Sequence, residues 1–374
     1  MSEQRILSAD NQYAELDNYI KDSGCKSVML VCDESLRFLK IKDYFETFSE
    51  RHHVSLTQFS DFKPNPLYES VVEGVRLFHA NGCDMIITVG GGSAMDVAKC
   101  IKLYSNMDDS ENYLKQKIVP NDIPILAVPT TAGTGSEATR YAVIYYNGDK
   151  QSVADASCIP SVVLMDPSVL KTLPEYQKKS TMLDALCHAI ESFWSVNSTA
   201  ESREYSKAAI QLLLKNKDAY LANEENGNAA MLKAANIAGK AINITQTSAG
   251  HAMCYKLTSL YGIAHGHAAA LCVSKLFPFM IGHTGQCIDP RGREYLEAVF
   301  GEIAAAMGSE NAEMAAEKFD EILCSLNLSV PDASEKDFEI LKKSVNPTRL
   351  KNNPVGLEID DIDLLYHQIL SERK

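Results

Sequence analysis

The 374-residue chain has no CxxC pair, no apolar run approaching the roughly 20 residues that a membrane helix needs, and too few cations for its acids. Its 36 Lys and Arg face 49 Asp and Glu, a formal charge of −13. Such a surface repels phosphate backbones, which excludes nucleic acid and anionic membrane as partners. The cysteines stand scattered at 25, 32, 83, 100, 158, 187, 254, 272, 287 and 324. A zinc ribbon is thereby excluded, because tetrahedral thiolate sites need closely spaced pairs, and the ten read as reduced, mostly buried thiols. The opening MSEQRILSADNQYAEL lacks the basic and then apolar layout of a signal peptide, so a cytoplasmic protein is expected. Small-molecule chemistry is what remains.

What is present has the balance of a globular protein, with 45% hydrophobic and 23% charged residues. The length asks for two domains. SVMLVCD (27–33), HHVSLTQF (52–59), DMIITVGGGS (84–93), DIPILAVP (122–129) and SVVLMDP (161–167) read as strands, and YESVVEGVRLFHANG (68–82) as a helix with a terminal glycine. That alternation predicts a Rossmann-like α/β domain over 1–174, a parallel sheet covered on both faces. Beyond Pro174, KSTMLDALCHAIESFW, SREYSKAAIQLLLKN and NAAMLKAANIAGKAIN carry helical periodicity without strand runs, so 175–374 is expected to be all-α. The acidic 309–325 stretch reads as a solvated helix face.

Two places carry chemistry. Gly90, Gly91, Gly92 and Ser93 follow an apolar strand and open a helical pattern, where unpaired amides and the helix dipole suit a pyrophosphate. Asp33, at a strand end, could bond ribose hydroxyls and repel a 2′-phosphate, or could cap a helix starting near Glu34. The hydroxyl- and glycine-rich 129–137 loop could wrap a nucleotide, or satisfy its own hydroxyls. Farther on, Asp184 and His188 stand four apart in a helical segment and so share one face. His251 and His265 follow. One carboxylate and three imidazoles form a sensible ligand set for Fe²⁺ or Zn²⁺ with a position left for a substrate oxygen.

Together these pieces resemble the iron-containing (group III) alcohol dehydrogenases over nearly the whole chain: PNP (64–66), GGGSAMDVAK (90–99), PTTAGTGSE (129–137), LMDP (164–167), DALCHAIE (184–191), HAM (251–253) and AHGHA (264–268). The resemblance implies the dehydroquinate synthase-like architecture, an N-terminal dinucleotide-binding domain and a helical C-terminal domain with the active site in the cleft between them. It implies Asp184, His188, His251 and His265 as metal ligands, with Fe²⁺ or alternatively Zn²⁺. It implies Gly91, Gly92 and Ser93 at the pyrophosphate of NAD(H) or NADP(H), Thr130, Thr131 and Thr134 at the nucleotide, Lys150 near the ribose, and Asn65 and Asp33 on the adenosine side. A homodimer acting on a small aldehyde or alcohol is also implied.

Two departures stand out. Tyr255 replaces a histidine that many members carry four residues after the His251 position, which leaves proton delivery to Tyr255, water or His267. The usually apolar stretch before His251 reads NITQTSAG (243–250). Thr245, with Arg140, Tyr141 and Arg349 elsewhere, would suit a small anionic aldehyde. GHAMCYKLTSLYGIAHGHA is similar to the segment in the family's phosphonoacetaldehyde-reducing branch, so reduction of phosphonoacetaldehyde to 2-hydroxyethylphosphonate is the specific expectation. A broad primary-alcohol dehydrogenase, a dehydroquinate synthase-like lyase and a silent sensor are the competing readings.

Overall fold

Strands form where short β-branched runs are buried on both faces, and the computed structural model, which describes residues 4–345 and 350–371, shows this at β2 (Ser27–Cys32) and β4 (Met85–Gly90), buried throughout. They lie in a six-stranded parallel sheet with β1 (Arg5–Ser8), β3 (Ser55–Phe59), β5 (Ile125–Pro129) and β8 (Val162–Met165), in the order β1-β8-β5-β4-β2-β3. The strand at 27–32 is therefore the second in sequence: β1 and the helix α1 (Asp10–Ser23) precede it and were not anticipated. Also unanticipated is a two-stranded antiparallel hairpin, β6 (Tyr141–Tyr146) and β7 (Asp149–Ala154). Asn147 (φ 53°) and Gly148 (φ 83°) make its turn, an Asn-Gly pair suited to two successive left-handed residues.

The short helices α2 (Lys42–Glu46) and α3 (Phe48–His52) follow β2, and the longer α4 (Tyr68–Ala80) and α5 (Gly92–Tyr104) pack together. One core cluster joins Val97 and Ile101 of α5 to Val71 and Val75 of α4 and to Met29 and Ile86 of the sheet. Tyr104 stacks on Tyr113 with ring centroids 4.8 Å apart.

The chain divides into two units. The first holds residues up to Thr131, then Gly135–Leu173 and Asn223–Leu232; the second holds Ala132–Thr134, Pro174–Ala222 and Lys233 onward. Helices build the second unit: α6 (Glu175–Trp194), α7 (Ala200–Leu221), most of α8 (Glu225–Thr245), α9 (Ala249–Tyr261), α10 (His265–Gly282), α11 (Arg293–Met307), α12 (Ala312–Ser325), α13 (Glu335–Ser344) and a last helix, Ile359–Ser371. Every residue from Met182 to Trp194 is buried, so α6 is the axis of this unit, with α7 and α10 packed along it. The acidic stretch around 309–325 forms α12, which turns Ala315, Ala316, Phe319, Ile322 and Leu323 inward. All ten cysteines are free, and Cys32, Cys83, Cys100, Cys158, Cys187, Cys254 and Cys272 are buried.

Candidate functional site

Helix α6 sets Asp184 and His188 one turn apart, α9 brings His251 in its first turn, and α10 begins at His265. Asp184 Oδ1 lies 3.8 Å from His188 Nε2 and 3.4 Å from His251 Nε2. The His188 and His251 rings stack with centroids 4.6 Å apart, and His265 stands edge-on to His251 at 5.3 Å. One ligand atom from each of Asp184, His188 and His251 falls within 4.8 Å of the others, close enough for one ion to draw all three together. All three side chains are buried, yet Asp184 Oδ1 and His251 Nε2 have no hydrogen-bond partner. Buried polar atoms left in that state are costly, and a divalent cation would satisfy both. The residues fit the metal that their arrangement implies.

Each imidazole is also held by its far nitrogen. His251 Nδ1 pairs with Glu191 Oε2, His188 Nδ1 lies 3.4 Å from the Gly133 carbonyl, and His265 Nδ1 lies 3.5 Å from Cys254 Sγ. Such outer contacts fix tautomer and ring orientation. Burial works against charge on His251, but Glu191 and Asp184 outweigh it and raise its pKa to about 9. Burial lowers the pKa of His188. For Asp184, burial opposes ionisation, and the His188, His251 and His265 rings more than reverse it, holding the carboxyl well below the usual range.

Close approach depends on glycines. A methyl group at Gly266 would meet the Ser180 carbonyl oxygen at 2.1 Å and Asp184 Cβ at 2.6 Å, and one at Gly133 would meet Thr181 at under 3 Å. Neither constraint is visible along the sequence, because the opposing atoms come from distant segments. Glu191, by contrast, had a signal: it stands seven residues after Asp184 and three after His188, on the same face of α6.

In the α/β unit, the adjacent ends of β5, β4 and β2 gather Thr130, Thr131, Gly90, Gly91 and Asp33. Thr130 N donates to the Gly90 carbonyl at 3.0 Å, a Cβ on Gly91 would sit 3.3 Å from Thr131 Cγ2, and one on Gly90 would sit 3.3 Å from Asp33 Oδ2. Gly91 is the N-cap of α5, so the amides of Gly92 and Ser93 open the helix. Asp33 does cap the short helix Glu34–Phe38, accepting from Ser35 N at 2.8 Å. Asn65, exposed, adopts φ 60° in the PNP turn, which β6 holds through Tyr145 N and the carbonyl of the buried Pro66. Thr134 belongs to the helical unit. Lys150 lies on β7, exposed, and its charge acts on Asp96.

Behind the glycine turn, α5 carries Lys99, fully buried, with Nζ donating to Ser136 Oγ, Thr139 Oγ1 and the Tyr141 carbonyl at 2.8–3.2 Å. Ser136 in turn donates to Asp96, which also accepts from Val143 N. Burial pushes the Asp96 carboxyl up to about 6, with Lys99 restraining it. These two residues tie the 129–137 loop and β6 to α5.

The remaining candidates are placed differently. Tyr255 stacks on His265 at 5.4 Å, beside the ligand cluster. His267 is fully buried, with Nδ1 3.2 Å from the Tyr176 hydroxyl. Thr245 is buried too, its hydroxyl committed to Ser192 Oγ and to the Ala241 and Gln246 carbonyls. The Arg140 guanidinium bonds the Tyr141 hydroxyl. Arg349 lies outside the described residues.

A glycine turn at the sheet end and a buried carboxylate–imidazole cluster are the two features that a metal- and nucleotide-dependent oxidoreductase requires. Two family descriptions match, "Iron-containing alcohol dehydrogenase" over residues 3–167 and "Fe-containing alcohol dehydrogenase family, C-terminal" over residues 178–370. The chain belongs to the iron-containing alcohol dehydrogenase family. It is 31% identical over 314 residues to the phosphonoacetaldehyde reductase of Streptomyces viridochromogenes, covering 79% of each chain. Alcohol dehydrogenase 4 of Schizosaccharomyces pombe is 28% identical over 368 residues, 94% of this chain and 84% of that one. Among solved structures, the sulfoacetaldehyde reductase of Bifidobacterium kashiwanohense in complex with NAD+ superposes with a TM-score of 0.87 at 25% identity, over 99% of this chain and 98% of the other. Among the described residues, no helix is long and apolar enough to cross a membrane.

Proposed function

We propose that this dehydrogenase works as an aldehyde reductase, with phosphonoacetaldehyde as its substrate and 2-hydroxyethylphosphonate as its product. Asp184, His188, His251 and His265 would hold Fe²⁺ or Zn²⁺. The convergence of the first three on one buried point is the observation that carries the reading. Bound together, the ion would polarise the aldehyde carbonyl and the dihydronicotinamide would supply the hydride. Gly91, Gly92 and Ser93 would offer amides to the pyrophosphate, and Thr130, Thr131 and Thr134 would line the nucleotide. Asp33 would accept from ribose hydroxyls, with Asn65 and Lys150 nearby, which favours NADH over NADPH. Tyr255, stacked on His265, is better placed to pass a proton than His267, whose ring is buried against Tyr176.

The substrate choice draws support from two relatives, named for phosphonoacetaldehyde and for sulfoacetaldehyde, two-carbon aldehydes with a tetrahedral anionic group. Arg140 and Tyr141 are the candidates for that anion among the described residues, Arg349 is a further one by its charge, and the buried Thr245 would act only through the turn it braces. The competing reading, a broad primary-alcohol dehydrogenase, draws on the match to alcohol dehydrogenase 4 over 94% of this chain. A panel of small aldehydes, assayed with NADH and NADPH on Fe²⁺- or Zn²⁺-loaded protein, tests it. Phosphonoacetaldehyde should give the highest kcat/KM, and a preference for uncharged aldehydes rejects the proposal. His251→Ala and His265→Ala should each abolish turnover and metal retention while leaving the circular dichroism spectrum near wild type. A cytoplasmic homodimer completes the reading, and light scattering checks the stoichiometry.

A further inference from the structure

We infer that Glu191 is a positioning residue that sets His251 as a metal ligand and, through the same carboxylate, anchors the start of α9. The inference rests on the metal reading of Asp184, His188 and His251.

The carboxylate of Glu191 is wholly buried and every contact it makes runs toward one turn of chain. Oε1 accepts from Ser248 N at 3.0 Å, from Ser248 Oγ at 2.8 Å and from His251 N at 3.3 Å. Oε2 pairs with His251 Nδ1. Ser248 is the N-cap of α9, so Glu191 receives amides that the helix itself leaves unbonded. Gly250 makes the approach possible: a Cβ there would lie 3.1 Å from Glu191 Cδ and Oε1.

An ionised carboxylate only accepts hydrogen bonds. His251 therefore keeps a proton on Nδ1, which leaves Nε2, 3.4 Å from Asp184 Oδ1, as the nitrogen that would exchange its proton for a metal ion; neither of those two atoms has a hydrogen-bond partner. The position of Glu191 on α6, the helix that bears Asp184 and His188, ties the orientation of a ligand on α9 to the two ligands on α6. A residue serving only as a helix cap needs Oε1 alone; the use of Oε2 on the imidazole is what a capping role leaves unexplained.

Replacement by glutamine separates the two roles. In Glu191→Gln the side-chain oxygen can still accept from Ser248 and His251 amides, but the amide NH2 faces His251 Nδ1 as a donor, moves the proton to Nε2 and blocks the ligand atom. Ser248→Ala disturbs the same cap, and leaves the Trp194 indole N–H without its 2.8 Å acceptor, but leaves the Glu191–His251 pair in place.

The test is a Co²⁺ titration of metal-free wild type, His188→Ala, Glu191→Gln and Ser248→Ala, read by the visible absorption of the bound ion and by competition with a chromogenic chelator. Thermal unfolding of each metal-free protein is followed in parallel. Glu191→Gln should bind Co²⁺ roughly 10- to 100-fold more weakly than wild type, as removal of an outer-shell partner does elsewhere, with its metal-free midpoint close to wild type. Ser248→Ala should lose thermal stability and keep its Co²⁺ affinity. Equal affinity in Glu191→Gln and wild type overturns the inference, and so does an equal loss in Glu191→Gln and Ser248→Ala, which would make Glu191 a cap and nothing more. Wild-type affinity in His188→Ala would sink the metal reading itself. Without any variant, ¹⁵N spectra of Zn²⁺-loaded wild type should show His251 protonated at Nδ1, and protonation at Nε2 would refute the assignment.

Discussion

A single methyl group at position 266 would stand 2.1 Å from the Ser180 carbonyl and 2.6 Å from Asp184 Cβ, so the geometry of the carboxylate–imidazole cluster depends on a residue that has no side chain. Gly266→Ala should cost at least about 1–3 kcal/mol of stability through overpacking, and should weaken metal binding because Asp184 is among the groups that have to move; denaturant unfolding and Co²⁺ titration measure the two effects separately. Asp33 permits a second prediction. Its Oδ1 already caps the turn at Ser35, so only the ribose role distinguishes cofactors. Asp33→Ala should raise kcat/KM for NADPH relative to NADH by about tenfold, about 1.4 kcal/mol, and an unchanged ratio would leave Asp33 a cap. At this scale the clustering of Asp184 and His188 was legible, because four-residue spacing on a helical pattern puts them side by side. Glu191 followed the same geometry but is part of no familiar ligand pair, and the glycines at 133, 250 and 266 gain meaning only from atoms far along the chain.

Helix α5 does two jobs, opening the glycine turn at its start and holding the neighbouring loop with Lys99 and Asp96. Lys99→Met removes the ammonium from among three acceptors and leaves Asp96 without its main opposing charge, which should destabilise the α/β unit by about 3–5 kcal/mol and raise the KM for NADH, since Ser136 lies in the loop Lys99 restrains. Pairing Lys99→Met with Asp96→Asn should recover part of that loss in urea unfolding. The Asp96 carboxyl, raised by burial to about 6 from the ordinary aspartate range, binds its proton more tightly folded than unfolded. Stability from this group is therefore present below about pH 4 and lost as pH rises to about 6, and Asp96→Asn should flatten that part of the stability–pH curve. Most elements were readable from period and punctuation. β1 was not, because Arg5–Ser8 is four residues long with Ile6 nearly half exposed, and its place comes from pairing with β8 some 157 positions on, Arg5 opposite Val162. The hairpin could have been read: Asn147-Gly148 between β-rich runs is a strong local turn signal, overlooked beside a loop dense in threonine and glycine.

Taken whole, the residues proposed for the metal lie in the helical unit and most of those proposed for the dinucleotide lie in the α/β unit. A ligand that binds only the folded form raises stability by mass action, about 2.7 kcal/mol at one hundred times its dissociation constant. Calorimetric scans should accordingly show Zn²⁺ acting first on the transition of the helical unit and NADH on that of the α/β unit. The cysteines offer a way to tell those transitions apart. Four buried thiols, Cys32, Cys83, Cys100 and Cys158, sit in the α/β unit, and three, Cys187, Cys254 and Cys272, in the helical one. A brief pulse of alkylating reagent during heating, read by peptide mass, will mark whichever set is uncovered first, so the protein carries its own position-coded reporters of unfolding and needs no introduced label.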